Sequence, residues 1–235
     1  MHRVFEKALH SESNTIELKG EEANHLFVRR LQAGETIEII NGTGGVAQAE
    51  IVLSEKRKAS LKVNAFAQHP PASPQLILVQ ALPKSQKLEW ITQKATELGA
   101  NVILPVETEF AEVRISDREK GKQERRLKIV IEACKQSGNP WRPECRTPIT
   151  FRQLLAELPS LGQVFLAEQS GELPELPSPT PDKLCICIGP EGGFSEREQA
   201  ALREAGAIPL RLGPHILRTE TAAVAGLTAL QMLSR

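Results

Sequence analysis

The chain is poor in cysteine and carries no surplus charge of either sign. Four cysteines in 235 residues are too few and too irregularly placed for a disulfide framework. Cys185 and Cys187 alternate within "KLCICIGP", so a strand there turns both thiols to one face. No other Cys or His pair stands near them at zinc spacing. They read as small buried hydrophobes, and no metal site is expected. Basic and acidic residues number 29 each, so composition supplies no cationic field of the kind that announces a nucleic-acid binder. The balance is uneven along the chain, with 13 Lys and Arg against 10 Asp and Glu over residues 84–146. Long apolar runs are missing as well. No stretch reaches the roughly 18 residues of a membrane span, and "MHRVFEKALHSES" has no apolar signal core. The expectation is a cytoplasmic protein.

What is present fits a globular chain, with 40% apolar and 25% charged residues. Its length suffices for one large domain or two ordinary ones. "AQHPPASPQ", 67–75, reads as a linker, and the pattern changes across it. Before it, "ETIEII", "VAQAEIVL" and "ASLKVNAF" alternate at period two around "NGTGG" and "SEKRK". That rhythm predicts hairpins of a small antiparallel sheet or barrel, interrupted by one short helix around "EEANHLFVRRL". After it, strand-like runs ("QLILVQAL", "NVILPV", "GQVFLAE", "KLCICIGP", "AIPLRLGP") alternate with helical ones. The helical runs are "QKLEWITQKATELG", "DREKGKQERRLKIVIEACKQSG", "FRQLLAEL", "SEREQAALREAG" and "TETAAVAGLTALQML". Alternation of this kind predicts a parallel sheet covered on both faces. The domains are expected at 1–70 and 74–235, and "GELPELPSPTPDK" is expected as a proline-rich surface loop.

Two turns carry the chemistry. In "LCICIGPEGGFSEREQ" an apolar strand runs into Gly-Pro-Glu-Gly-Gly, and Ser195 with Glu198 forms the capping box of a helix start. The turn lacks both the Gly-Lys-Ser/Thr of a P-loop and Gly-x-Gly-x-x-Gly. Pro190 offers no N–H, and Glu191 puts a negative charge where a pyrophosphate would lie. A neutral or cationic ligand suits it better than a phosphate. "LGPHILRTETAA", 212–223, has the same design: Gly-Pro after a strand, then a helix. Two such turns at the carboxyl ends of parallel strands predict one ligand crevice. His215, inside the second turn, reads as loop packing.

"IGPEGGFSEREQ" with "LGPHILRTETAA", preceded by "LPKSQKLEWITQKATELGA", resembles the SPOUT class of RNA methyltransferases, and within it the RsmE family. "NHLFVRRLQAGETIEIINGTGG" resembles that family's PUA-like RNA-binding barrel. The resemblance covers nearly the whole chain. It implies an α/β fold, a five- or six-stranded parallel sheet with its C-terminal segment threaded into a deep trefoil knot, behind an N-terminal PUA-like barrel. It implies methylation of N3 of a uridine in 16S ribosomal RNA with S-adenosylmethionine as donor. The substrate would be 16S ribosomal RNA, free or within the assembled small subunit, and the enzyme a homodimer. The cofactor would lie against Leu166, Glu168, Ile188, Gly189, Gly192, Gly193, Leu212, Gly213, Ile216 and Leu217. RNA-binding positions carried over are Arg3, His25, Arg29, Arg30, Lys84, Arg114 and Gln136. The chain departs from the family pattern at Arg29, where leucine is expected, and at Asn139, where arginine is common.

Arg218 and Glu220 are the catalytic candidates. A uridine N3 holds its proton at neutral pH, so transfer needs a base or stabilisation of the anion. Arg218 could stabilise charge on the flanking carbonyls, and Glu220 is the nearest carboxylate. Glu220 would equally suit the first turn of the last helix through its favourable charge there. The competing class is a non-catalytic RNA-binding or ribosome-assembly protein that keeps the fold.

Overall fold

The computed structural model describes residues 2–84, 86–115, 119–172, 176 and 179–234. The chain divides into two compact units, Met1–Pro71 with Ile131–Arg142, and Ala72–Val130 with Pro143–Arg235. Among the described residues no helix is long and apolar enough to cross a membrane.

In the first unit, strands β1 (Arg3–Phe5), β2 (Thr15–Lys19), β3 (Thr36–Ile40), β4 (Gly45–Glu55) and β5 (Lys58–Gln68) form one sheet in the order β1-β3-β4-β5-β2. Helix α1 (Gly20–Val28) follows β2. Period-two alternation turns Ile37, Ile39, Ala47, Ala49, Ile51, Ala59 and Leu61 inward, where they meet Ala23 and Leu26 of α1. The β4–β5 register slips between Gln48 and Ala49 and again between Ile51 and Leu53. Such bulges bend a long hairpin, which lets one sheet wrap its own apolar face. The turn joining β3 to β4 is built by Asn41, whose Oδ1 accepts from the N–H groups of Thr43 and Gly45, both at 2.8 Å. Gly44 has φ +90°, and a Cβ there would stand 2.5 Å from Trp141 Cζ2. Only glycine lets residues 140–142 lie against this turn, with Gly44 N–H donating to Pro140 O at 2.9 Å and Arg142 N–H to Gly42 O at 3.0 Å. β1 and β2 were not legible as strands in the sequence. β1 is only three residues long, and β2 alternates as "TIELK" with no turn signal before it.

The second unit is built on β6 (Gln75–Ala81), β7 (Val102–Glu107), β8 (Glu144–Cys145), β9 (Ile149–Thr150), β10 (Gln163–Glu172), β11 (Lys183–Ile188) and β12 (Ile208–Leu210). Every pairing is parallel, in the order β12-β10-β11-β6-β7-β8, and β9 also pairs with β7. The sheet thus has seven strands rather than five or six, because two-residue stubs extend its β7 edge. Helices α2 (Lys87–Glu97), α3 (Glu119–Ser137), α4 (Phe151–Glu157), α5 (Glu196–Glu204) and α6 (Thr219–Leu233) follow the helical runs of the sequence, and α3 contributes its last turns to the first unit. Ile77, Val79, Cys185 and Cys187 face one layer with Leu154 and Leu202, whereas Leu78, Ile186 and Ile188 face the other with Ile91, Ala223 and Leu227. The two cysteines are free, buried and on one face, and among the described residues no group of side chains could hold a metal ion. α6 lies close on β11: a Cβ on Gly226 would stand 2.9 Å from Ile186 Cγ1. Its small residues serve that approach. β12 keeps only three residues of the expected run, as an edge strand containing Pro209, which has no N–H to donate. β10 extends through Gly171 and Glu172 into the expected proline-rich loop, whose residues 173–175, 177 and 178 lie outside the described residues.

Candidate functional site

Residues 166–169 of β10 and the loops after β11 and β12 enclose a cleft of about 650 Å3 toward the carboxyl ends of these strands. β6 and β11 are neighbours whose following connections leave in opposite directions, to β7 and to β12. Open α/β sheets bind ligands at such a switch point.

The first loop, 188–194, owes its shape to its glycines. Gly193 takes φ +73° and its N–H donates to Pro190 O at 2.9 Å, closing the turn. Ser195 then caps α5: its Oγ accepts from Glu198 N–H, and Glu198 Oε2 accepts from Ser195 N–H at 3.0 Å. Glu198 Oε1 also accepts from Glu109 N–H at 2.8 Å, so the cap is tied to the loop after β7. A Cβ on Gly189 would meet backbone atoms of Gly193 and Phe194 at 3.1 Å, and one on Gly192 would meet Phe110 Cβ at 3.2 Å.

The walls are largely apolar. Leu166, Ile188, Leu212, Ile216 and Leu217 line the cleft with Gly189, Gly192, Gly193, Glu168 and Arg218. Gly213 does not line it: its φ is ordinary and a Cβ there would meet nothing within 4 Å. Glu220 does not line it either. Its carboxylate turns to Lys87, whose Nζ stands 3.1 Å from Glu220 Oε2 and 2.9 Å from Glu191 Oε1. Burial pushes both carboxyls up, but backbone N–H groups and the Lys87 ammonium outweigh it, so both lie below their ordinary value. The bonds to Glu191 and Glu220 in turn raise Lys87. Glu168 bonds Arg203 and Ser170, and the Arg203 guanidinium chiefly holds its carboxyl below the ordinary range. Its Oε2 is buried with no hydrogen-bond partner. Arg218 is the exposed N-cap of α6, with extended backbone and no capping bond from its side chain. An apolar cleft with the Glu168 and Glu191 carboxylates in its wall and an exposed guanidinium at Arg218 can face a cation and meet a developing negative charge.

Lys87, Gln80 and Thr219 were missed from sequence. Lys87 had one signal: a cation in the first turn of a helix opposes the helix dipole unless acids answer it. Gln80 had another, as an amide inside the apolar run "QLILVQAL".

The RNA-binding candidates fall in both units. In the first, His25 and Arg29 line a second cleft, of about 530 Å3, with Glu21, Glu22, Asn24, Val28, Glu132 and Lys135. Burial, then Lys135 and Arg29, hold the imidazole of His25 below its ordinary value, so it is neutral at physiological pH. Lys135 is committed to Glu22 at 2.9 Å and Glu132 at 2.6 Å. Arg3 is engaged inside the unit by Glu38 and by Lys135 O at 3.2 Å. Arg30, at φ 58°, and Gln136 are exposed. In the second unit Lys84 pairs with Glu112, and Arg114 with Glu107 and Thr108 O, at 3.3 and 3.1 Å.

Fold and cleft define the class, and comparison with known proteins agrees. The model of the RNA methyltransferase domain matches residues 70–231, and that of the RNA methyltransferase PUA domain matches residues 18–64. The ribosomal RNA small subunit methyltransferase E of Bacillus subtilis (strain 168) is 34% identical over 231 residues, spanning 93% of this chain and 90% of the relative. The Mycobacterium tuberculosis protein of that name is 31% identical over 225 residues, 92% of this chain and 85% of its own. The Neisseria gonorrhoeae enzyme of the same name, solved bound to S-adenosyl methionine, superposes with a TM-score of 0.89 at 30% identity over 99% of this chain and 98% of its own. A Legionella pneumophila methyltransferase solved with the same cofactor gives 0.86 at 31% over 98% of this chain and 96% of its own. The chain belongs to the family of ribosomal RNA small subunit methyltransferase E proteins.

Proposed function

We propose that the chain methylates N3 of a uridine in 16S ribosomal RNA, with S-adenosylmethionine bound in the cleft of the second unit. The observation that carries the reading is the cleft wall itself. A backbone cradle that a Cβ at Gly189 would disturb lies beside a buried carboxylate oxygen, Glu168 Oε2, that has no partner. These features fit the cofactor: the oxygen can accept from a ribose hydroxyl, the apolar walls suit an adenine, and the carboxylates tolerate a sulfonium. When bound, S-adenosylmethionine supplies a methyl group on positively charged sulfur.

The residues of this chain do the rest. The glycine turn orients the donor through main-chain groups. Arg218, whose guanidinium makes no hydrogen bond among the described residues, presents a cation to the uracil carbonyls as N3 loses its proton. Glu220 is a poor proton acceptor, because Lys87 and its own N–H hold it ionised. Its part is to anchor Lys87, and the N3 proton leaves to water. The neutral His25 and the exposed Arg29, Arg30 and Gln136 serve the RNA from the first unit, and phosphate contacts need only well-placed charge.

The same reading makes the assembled small subunit the substrate, the cytoplasm the location, the C-terminal segment knotted and the enzyme a homodimer. The half-buried outer residues of α6 support the last point. Mass-spectrometric mapping of 16S ribosomal RNA from a deletion strain should show one methyluridine lost and restored by the wild-type chain. No loss, together with no heat on titration with S-adenosylmethionine, would favour a non-catalytic RNA-binding protein.

A further inference from the structure

Gln80 is 0% exposed, at the carboxyl end of the central strand β6. A buried amide is costly unless it is bonded. Its Nε2 donates to Ala81 O and to Thr219 Oγ1, both at 2.9 Å. Thr219 Oγ1 in turn donates its single proton to Gly189 O at 2.6 Å. The direction of the chain is fixed. Ala81 O can only accept, so a flipped amide would set oxygen against oxygen. Keeping Nε2 on these partners leaves Gln80 Oε1 buried and unpaired, which folds rarely tolerate without a reason.

The two ends of the chain matter for chemistry. Gln80 lies in register with Ile188, so its amide sits beside the residue that precedes the glycine turn. Gly189 opens that turn. Thr219 opens α6 and directly follows Arg218. One buried hydroxyl therefore joins the turn that cradles the donor to the residue next to Arg218, and aligned donors and acceptors strengthen one another.

We infer that Gln80 and Thr219 are positioning residues that couple occupation of the glycine turn to the placement of Arg218. The inference rests on the reading of this cleft as the S-adenosylmethionine site. Thr219→Val keeps shape and removes the hydroxyl, Gln80→Met keeps length and removes the donor, and Thr219→Ser keeps the hydroxyl. Calorimetric titration with S-adenosylmethionine and single-turnover methylation of small subunits, with cofactor saturating, would be measured for each. Thr219→Val and Gln80→Met should weaken cofactor binding on the order of 10-fold, the scale of a buried polar group left unpaired. The rate at saturating cofactor should fall as well, because Arg218 loses its tether, and Thr219→Ser should recover most of both. A purely structural role would lower the melting temperature and leave affinity and saturated rate alone. Wild-type affinity and rate in Thr219→Val, or equal damage from serine and valine, would overturn the coupling. Should Thr219→Val fail to fold, Gln80→Met alone decides the matter by the same two readouts. If the wild-type chain itself binds no S-adenosylmethionine, the cofactor reading falls and the coupling with it.

Discussion

Valine at position 189 should weaken S-adenosylmethionine binding by about tenfold or more, whereas valine at 213 should leave it within about twofold. The magnitude follows from three contacts. A Cβ on Gly189 would stand 3.1 Å from Gly193 C, Gly193 Cα and Phe194 N, against an ordinary carbon contact of about 3.5–4.0 Å. These are backbone atoms, held by the Gly193–Pro190 bond at 2.9 Å and by the Ser195 cap, so they cannot swing aside as a side chain would. Valine adds two methyl groups beyond that Cβ. Overpacking of this kind costs about 1–3 kcal/mol, and about 1.4 kcal/mol expressed in the bound state is tenfold in affinity. Gly213 belongs to the matching Gly-Pro of the second turn, yet a Cβ there meets nothing within 4 Å. The assay is calorimetric titration of both variants beside thermal melts, which separate a distorted turn from a general loss of fold. Unaltered affinity in Gly189→Val, or an equal loss in Gly213→Val, would refute the placement of the donor against the first turn.

Three further outcomes are expected. Arg218→Ala should lower the single-turnover rate on the order of 100- to 1,000-fold while changing cofactor affinity little, and Arg218→Lys should recover little because it lacks the planar fork; a near-normal rate in the alanine variant would remove Arg218 from the mechanism. Glu191 and Glu220 sit below their ordinary 4.5, so the stability they contribute is present above that value and is lost as pH falls through their folded values. Lys87→Met removes an ammonium that helps hold both down, so the variant should lose less urea-unfolding stability than the wild type as pH falls below about 4.5, and an equal loss would show that Lys87 does not set these carboxyls. Gly226→Val drives a Cβ to within 2.9 Å of Ile186 Cγ1 and should destabilise the fold by about 1–3 kcal/mol; an unchanged melting temperature would mean that α6 is free to move off the sheet.

Much of the fold was written in local pattern. The last helix spans Thr219–Leu233, the run "TETAAVAGLTALQML" as it stands, because small and apolar residues recur at helical spacing after a turn. The Ser195 and Glu198 pair marked the start of α5, since a capping box is satisfied within four residues. The alternation of Cys185 and Cys187 placed both thiols on one buried face. The two Gly-Pro segments were legible as turns for the same reason: a turn's residue types answer to its own backbone. What lay beyond reach is what joins distant segments. Nothing at position 87 announces that its ammonium will bind Glu191, 104 residues on, and nothing at 80 that its amide will meet Thr219, 139 residues on. Gly189 and Gly213 have equivalent places in their motifs, and only the packing around each shows that one touches the cleft. Residues 131–142 join the first unit because glycine at 44 leaves room for Trp141, a fit that requires both segments in place. Periodicity and capping report the burial and hydrogen bonding of neighbours along the chain. Charge pairing and close packing depend on which loops converge, and that is settled only when the sheet orders its strands.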